Sequence, residues 1–253
     1  KGSQFISAGI GLHSKLEDLT VYFGQRQLAD GSIELPNKNL GFSKSAHYVV
    51  GYEAMLSKNW HVKSEVYYQY LFDVPVNAEA KDALSLINLN EGFTTKRAQN
   101  TGTGRNYGLE LTLEKYFSNT WYMMLTTSIY DSKYRGSDNV LRNTAYNGNL
   151  AGSFLAGKEF KIRDRNTLSI NIRTLVAGGR RYTPYLLDES IAAGEGIQDL
   201  NNTYGAQGAD YWRIDFGMSY TINRKKTARV WKIDIQNATN RLNEYSRYYS
   251  AET

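Results

Sequence analysis

The run from Tyr211 to Ile222 constrains the fold more than any other segment. Trp212, Ile214, Phe216, Met218, Tyr220 and Ile222 fall on one side of an extended chain; Arg213, Asp215, Gly217, Ser219 and Thr221 fall on the other. A strict period of two marks a strand with one apolar and one polar face. At about 3.3 Å rise and a tilt of about 40°, twelve residues span about 30 Å, the height of an outer-membrane apolar band. Strands of soluble proteins average about five or six residues. A strand this long suits a membrane.

The pattern recurs. Leu168, Ile170 and Ile172 alternate with Ser169, Asn171 and Arg173; Trp231, Ile233 and Ile235 with Lys232, Asp234 and Gln236; Leu109, Leu111 and Leu113 with Glu110, Thr112 and Glu114. Val62, Val66, Tyr68 and Tyr70 oppose Lys63, Glu65, Tyr67 and Gln69. Weaker segments at 4–12, 47–56, 121–131 and 148–160 bring the expectation to about nine strands. Between them, short connections (57–59, 117–120, 161–166 and 224–227) alternate with long ones (13–46, 73–106, 132–147 and 177–210). Short turns at one end and long loops at the other are the mark of an outer-membrane barrel, with the turns periplasmic. Irregular loops of this length are uncommon inside compact soluble domains.

Composition agrees. Mean hydropathy is −0.52, and no stretch approaches the roughly 20 apolar residues of a membrane helix. The chain holds 20 Tyr and 22 Gly against 3 Pro and no Cys, which suits long strands and aromatic belts and removes disulfides and thiolate metal sites. The net charge of +5 is dispersed, giving no footprint for nucleic acid. Trp60, Tyr116, Phe117, Trp121, Phe160, Tyr220 and Trp231 are expected in a belt near the turns, and Tyr70, Phe72, Tyr130, Tyr211 and Trp212 in one near the loops.

Little in the sequence reads as catalysis. There are three histidines, His13, His47 and His61; the first two belong near the loop end, but no Ser or carboxylate pattern around them forms a triad. Thr101-Gly102-Thr103-Gly104 lacks the Lys-Ser/Thr ending of a phosphate loop and reads as a loop returning to a strand. Asp188, Glu189, Glu195 and Asp199 do not have the spacing of a calcium loop. Arg224, Lys225, Lys226 and Arg229 surround one turn and are read as keeping it soluble. No catalytic, metal or cofactor residue is assigned. The candidate functional residues are instead charges on the polar side of the strands: Arg173, Arg213, Asp215, Lys232 and Asp234, expected to face a lumen and to pair across strands.

Five runs resemble the C-terminal barrel of TonB-dependent receptors in the carboxypeptidase-regulatory-like group. They are Gly9 to Ser14, Glu65 to Tyr70 continuing to Val74-Pro75, Asn106 to Leu111, Gly178 to Pro184, and Asp234 to Asn240. The resemblance covers nearly the whole chain, so residues 1–253 are expected to be one C-terminal portion of an all-β, antiparallel, up-and-down transmembrane barrel. It implies about nine strands of a barrel of about 22 with a plug in its lumen. It also implies that the plug, the N-terminal segment that meets the energising partner, and the closing strand lie outside a chain that opens at Lys1-Gly2-Ser3, with no signal peptide, and stops at Ala251-Glu252-Thr253.

The function implied is energy-coupled uptake of a nutrient across the bacterial outer membrane, without enzyme activity or cofactor. Expected partners are outer-membrane lipid, the protein's own plug, a TonB-type energising protein and a surface lipoprotein. The alternatives are a passive porin or other outer-membrane barrel and, further off, a soluble β-rich carbohydrate-binding module. Cargo identity is not legible.

Overall fold

The computed structural model describes residues 3–89, 92–163 and 165–250. Nine long strands form the wall: β1 (Gln4–Lys15), β2 (Ser43–Ser57), β3 (Trp60–Asn77), β4 (Ala98–Ser118), β5 (Trp121–Arg135), β6 (Leu150–Ile162), β7 (Asn166–Ala177), β8 (Tyr211–Asn223) and β9 (Ala228–Ile235). Each pairs antiparallel with the next in sequence, with no crossover. A short strand, Leu141–Asn143, adds to the loop end of β5. The sheet is open, with β1 and β9 as its edges, and every residue of β9 is exposed. No helix among the described residues is long and apolar enough to cross a membrane.

Register sorts the side chains onto two faces. In the row Phe216, Ile172, Ala156, Met123 each residue lies opposite the next across β8, β7, β6 and β5. The same face carries Ile214, Trp212, Ile233 and Trp231. One residue along, Asp215 lies opposite Arg173, and Gly217 sits between Asn171 and Asp234. The alternation read along single strands therefore becomes a continuous apolar face and a continuous polar one.

Tight turns close one end. Ser118 pairs with Trp121 around Asn119 (φ 50°) and Thr120 (φ 67°), the two left-handed positions of a type I′ hairpin. Asn tolerates that conformation; a β-branched Thr does not adopt it readily. Lys115 holds the turn in place. Buried to 5% exposure, its ammonium donates to Ser118 Oγ at 2.8 Å and to the carbonyls of Ser118 and Trp121 at 2.9 Å. It lies 4.0 Å over the Trp121 ring, which meets Trp60 edge-on. A lysine among aromatics is thus satisfied by backbone oxygens at the end of its own stem.

Two expectations change. The wall is taller than its apolar pattern: β3 runs to Asn77 and β4 starts at Ala98, so the loops are 16–42, 78–97, 136–149 and 178–210. Thr101-Gly102-Thr103-Gly104 belongs to the β4 ladder, where Gly102 lies against Val74 and Val76 so closely that a Cβ would meet the Val76 side chain at 2.3 Å. The belts also thin. Trp60, Trp121, Phe160, Tyr220, Trp231, Tyr70, Phe72 and Trp212 share the apolar face, whereas Tyr130 and Tyr211 fall on the polar parity. Tyr116 stacks on His61, and Phe117 packs against Tyr122. Height along a strand does not decide which face a ring takes; parity does.

Candidate functional site: the polar face and its loop canopy

At the loop end the connections fold into one canopy over the polar face. The 16–42 loop contains a five-residue helix (Leu19–Phe23) and a small hairpin (Arg26–Gln27 with Ile33–Glu34). Val21 of that helix packs with Leu86 and Ala98, and with Leu40 and Leu89, into the core of the canopy. Arg26 bridges Glu34 and Glu79 at 2.9 and 2.8 Å, and Arg97 pairs with the same Glu34. Asn37, 1% exposed, donates to the Lys96 carbonyl at 2.9 Å and accepts from Ala98 N at 2.8 Å. A buried amide satisfied on both ends fixes the loop to the start of β4.

The other loops join the same body. Asn88 accepts from Ala145 N, and Tyr134, wholly buried on β5, donates to the Ala83 carbonyl. Arg181 donates to the Asn147 carbonyl and to Asn149 Oδ1. Gly148 and Gly178 approach so closely that a Cβ on Gly178 would lie 1.8 Å from the Gly148 oxygen; only glycine permits that contact. Each loop is held by its neighbours rather than by its own strands alone.

Beneath the canopy a polar rail crosses strands β1 to β5, one residue per strand. The His13 and His47 rings lie 4.5 Å apart on β1 and β2. The Gln69 amide on β3 hydrogen-bonds His47, Asn106 on β4 donates to Gln69 at 2.6 Å, and Ser132 on β5 donates to Asn106 at 2.7 Å. Thr144 of the canopy donates to Ser132 at 2.9 Å and ends the chain. His13, His47 and Gln69 of the rail line a cavity of about 510 Å³ together with the charged Lys15, Glu17, Asp18 and Lys44 and the apolar Val21, Leu71, Val74, Leu86 and Leu89. Ser45 lines the same cavity, 9% exposed, its hydroxyl without a partner. A lining that mixes charged, hydrogen-bonding and aliphatic groups suits an amphiphilic guest.

The sequence singled out other members of this face. Arg213 donates to Asp215 at 2.8 Å, Arg173 lies opposite Asp215 in register, and Lys232 bridges Asp234 at 2.9 Å. All five share one face by register, but the bridges run along single strands instead of between them. Asp215 also accepts from Asn237 N at 2.9 Å. There the chain turns, with Asn237 at φ 51°, and residues 241–250 come back along the top of β8, where Asn243 caps both backbone groups of Trp212. Sequence reasoning missed the rail, the partner of His61 and the role of Lys115. His61 lies between Glu53 and Glu114, 3.0 Å from each. The signal was present as polar residues of one parity, but the register that aligns them is a property of neighbouring strands.

A meander of membrane-length strands, with tight turns at one end and a built canopy at the other, defines the wall of an outer-membrane type β-barrel. The model of the family described as TonB dependent receptor-like, beta-barrel matches residues 12–240, and the chain belongs to that family. Members of this family are outer-membrane receptors and transporters of bacteria, not enzymes. Among solved structures, the closed form of the ferric-catecholate import receptor Fiu from E. coli K12 superposes with a TM-score of 0.54 at 11% identity, over 95% of this chain and 29% of that one. That likeness is one of fold, and the chain spans less than a third of the receptor's length. No curated protein matches.

Proposed function

We propose that this chain is part of the wall of a bacterial outer-membrane transporter that takes up a nutrient through a plugged lumen, with energy supplied by a TonB-type partner. In this reading the polar face lines the lumen, and Arg173, Arg213, Asp215, Lys232 and Asp234 meet water or the plug. The apolar face meets lipid, and the canopy faces the cell exterior, where a surface lipoprotein would dock. The observation that carries the reading is the canopy: four loops tied to one another over the polar face, above a rail of hydrogen-bonding side chains. Loops held rigidly above a wall are suited to recognition, because they vary while the wall stays fixed.

The test is cargo binding and uptake by the full-length protein with the loops 16–42, 78–97 and 178–210 deleted in turn. Loss of binding in at least one deletion, with uptake that stops when the energising partner is removed, is the expected result. Intact binding in every deletion, or energy-independent uptake with the plug seated, makes the protein a porin instead.

A further inference from the structure

On the apolar face, near the tight turns, the wall carries a groove of about 530 Å³. Its floor is Ala156, whose methyl group lies between Met123 and Ile172 of the flanking strands. Trp121, Phe160, Ile170 and Ile172 raise its sides. One step toward the turns Lys158 is exposed, in register between Trp121 and Ile170, with its ammonium 5.3 Å from the Phe160 ring. A slot with aliphatic and aromatic walls and a cation at one mouth has the polarity of an acyl chain below a phosphate.

The rim beside it repeats the charge. The turns at 163–165 and 224–227 are neighbours, joined by Asn223 donating to the Arg165 carbonyl at 2.8 Å. They bring Arg163, Arg165, Arg224, Lys225, Lys226 and Arg229 to one end of the wall, all exposed. Among the described residues, none of these six nor Lys158 makes an ion pair. At the loop end of the same face Lys44 pairs with Asp73 and Lys133 with Asp131, while Arg105, in register between Tyr70 and Lys133, has no ion pair among the described residues. We infer that the groove and rim form a binding site for an anionic glycerophospholipid of the periplasmic leaflet, an acyl chain in the slot and its phosphate on Lys158. The rim cations complete the field, so the basic turn has a partner beyond keeping itself soluble. The inference rests on the membrane reading above, and the occupant is argued from charge complementarity.

The experiment is native mass spectrometry of the full-length protein released from detergent after addition of phosphatidylglycerol, phosphatidylcholine or lipid A. Wild type should retain phosphatidylglycerol in preference to both others. Lys158→Gln should lower that retention about fivefold, the effect of about one cation at a lipid surface. Ala156→Leu, which fills the slot and leaves the charge intact, should lower retention of phosphatidylglycerol as well. Lys133→Gln, at the other end of the same face, should leave it unchanged. Equal retention of the two phospholipids by wild type, preference for lipid A, or unchanged retention in both Lys158→Gln and Ala156→Leu would overturn the site while leaving the barrel reading intact. Failure of wild type to insert into phosphatidylcholine vesicles would overturn the membrane reading and the site with it.

Discussion

Asp138 and Arg142 form a two-pronged ion pair inside the 136–149 loop, at 2.6 and 2.9 Å, with side chains only 18% and 12% exposed. The Arg142 fork holds the Asp138 carboxyl below its ordinary value of 3.8; partial burial opposes this, and the Val140 N–H adds to it. Because the folded carboxyl titrates below the unfolded one, its contribution is complete above that ordinary value and is lost as pH falls through the depressed one. Asp138→Asn should cost about 1–3 kcal/mol locally. Hydrogen exchange of 136–149, followed from about pH 7 to pH 2, should show acid-induced opening in wild type and a loop already open in the variant. Substitutions on β8 test the two faces in the same way. Phe216→Lys should cost about 2–4 kcal/mol of folding stability in lipid vesicles, and Asp215→Lys clearly less; equal costs would contradict the assignment of faces. The contrast on β8 was legible in the sequence because alternation along a single strand sets parity; the Asp138–Arg142 pair was not. The rail was not, since Gln69, Asn106 and Ser132 meet only once three strands are in register.

At the scale of elements, the Asn119-Thr120 turn keeps a β-branched residue at φ 67°. Thr120→Gly should relieve that conformation and raise stability by about 1 kcal/mol, read as a shift of the urea midpoint in vesicles. Asn37→Ala should act in the opposite direction on the canopy, leaving Ala98 N buried without an acceptor. Limited proteolysis should then cut 16–42 and 78–97 together, since the Arg26, Arg97, Glu34 and Glu79 network joins them; cleavage of one loop alone would contradict a shared body. All nine wall strands follow from apolar alternation, but their upper ends do not. Residues 98–106 carry Gly, Thr and Asn where the sequence shows no period, yet they pair along β3 and β5 because a ladder needs backbone partners, not apolar ones. The belts failed at Tyr130 and Tyr211 for a related reason: each was placed by height, and each lies on the other parity.

At the scale of the whole molecule, the proposed function requires that the polar face look into water and the apolar face into lipid over the membrane-spanning part of the wall. These 253 residues contain no cysteine, so single cysteines can be introduced one at a time at 212 to 218 in the full-length protein, with any cysteine outside them replaced by Ser, and the protein reconstituted in lipid vesicles and spin-labelled. Collisions with oxygen report lipid, and collisions with a water-soluble nickel chelate report the lumen. Oxygen maxima are expected at 212, 214, 216 and 218 and nickel maxima at 213, 215 and 217. A flat profile, or alternation with the two reagents exchanged, would contradict the proposed function.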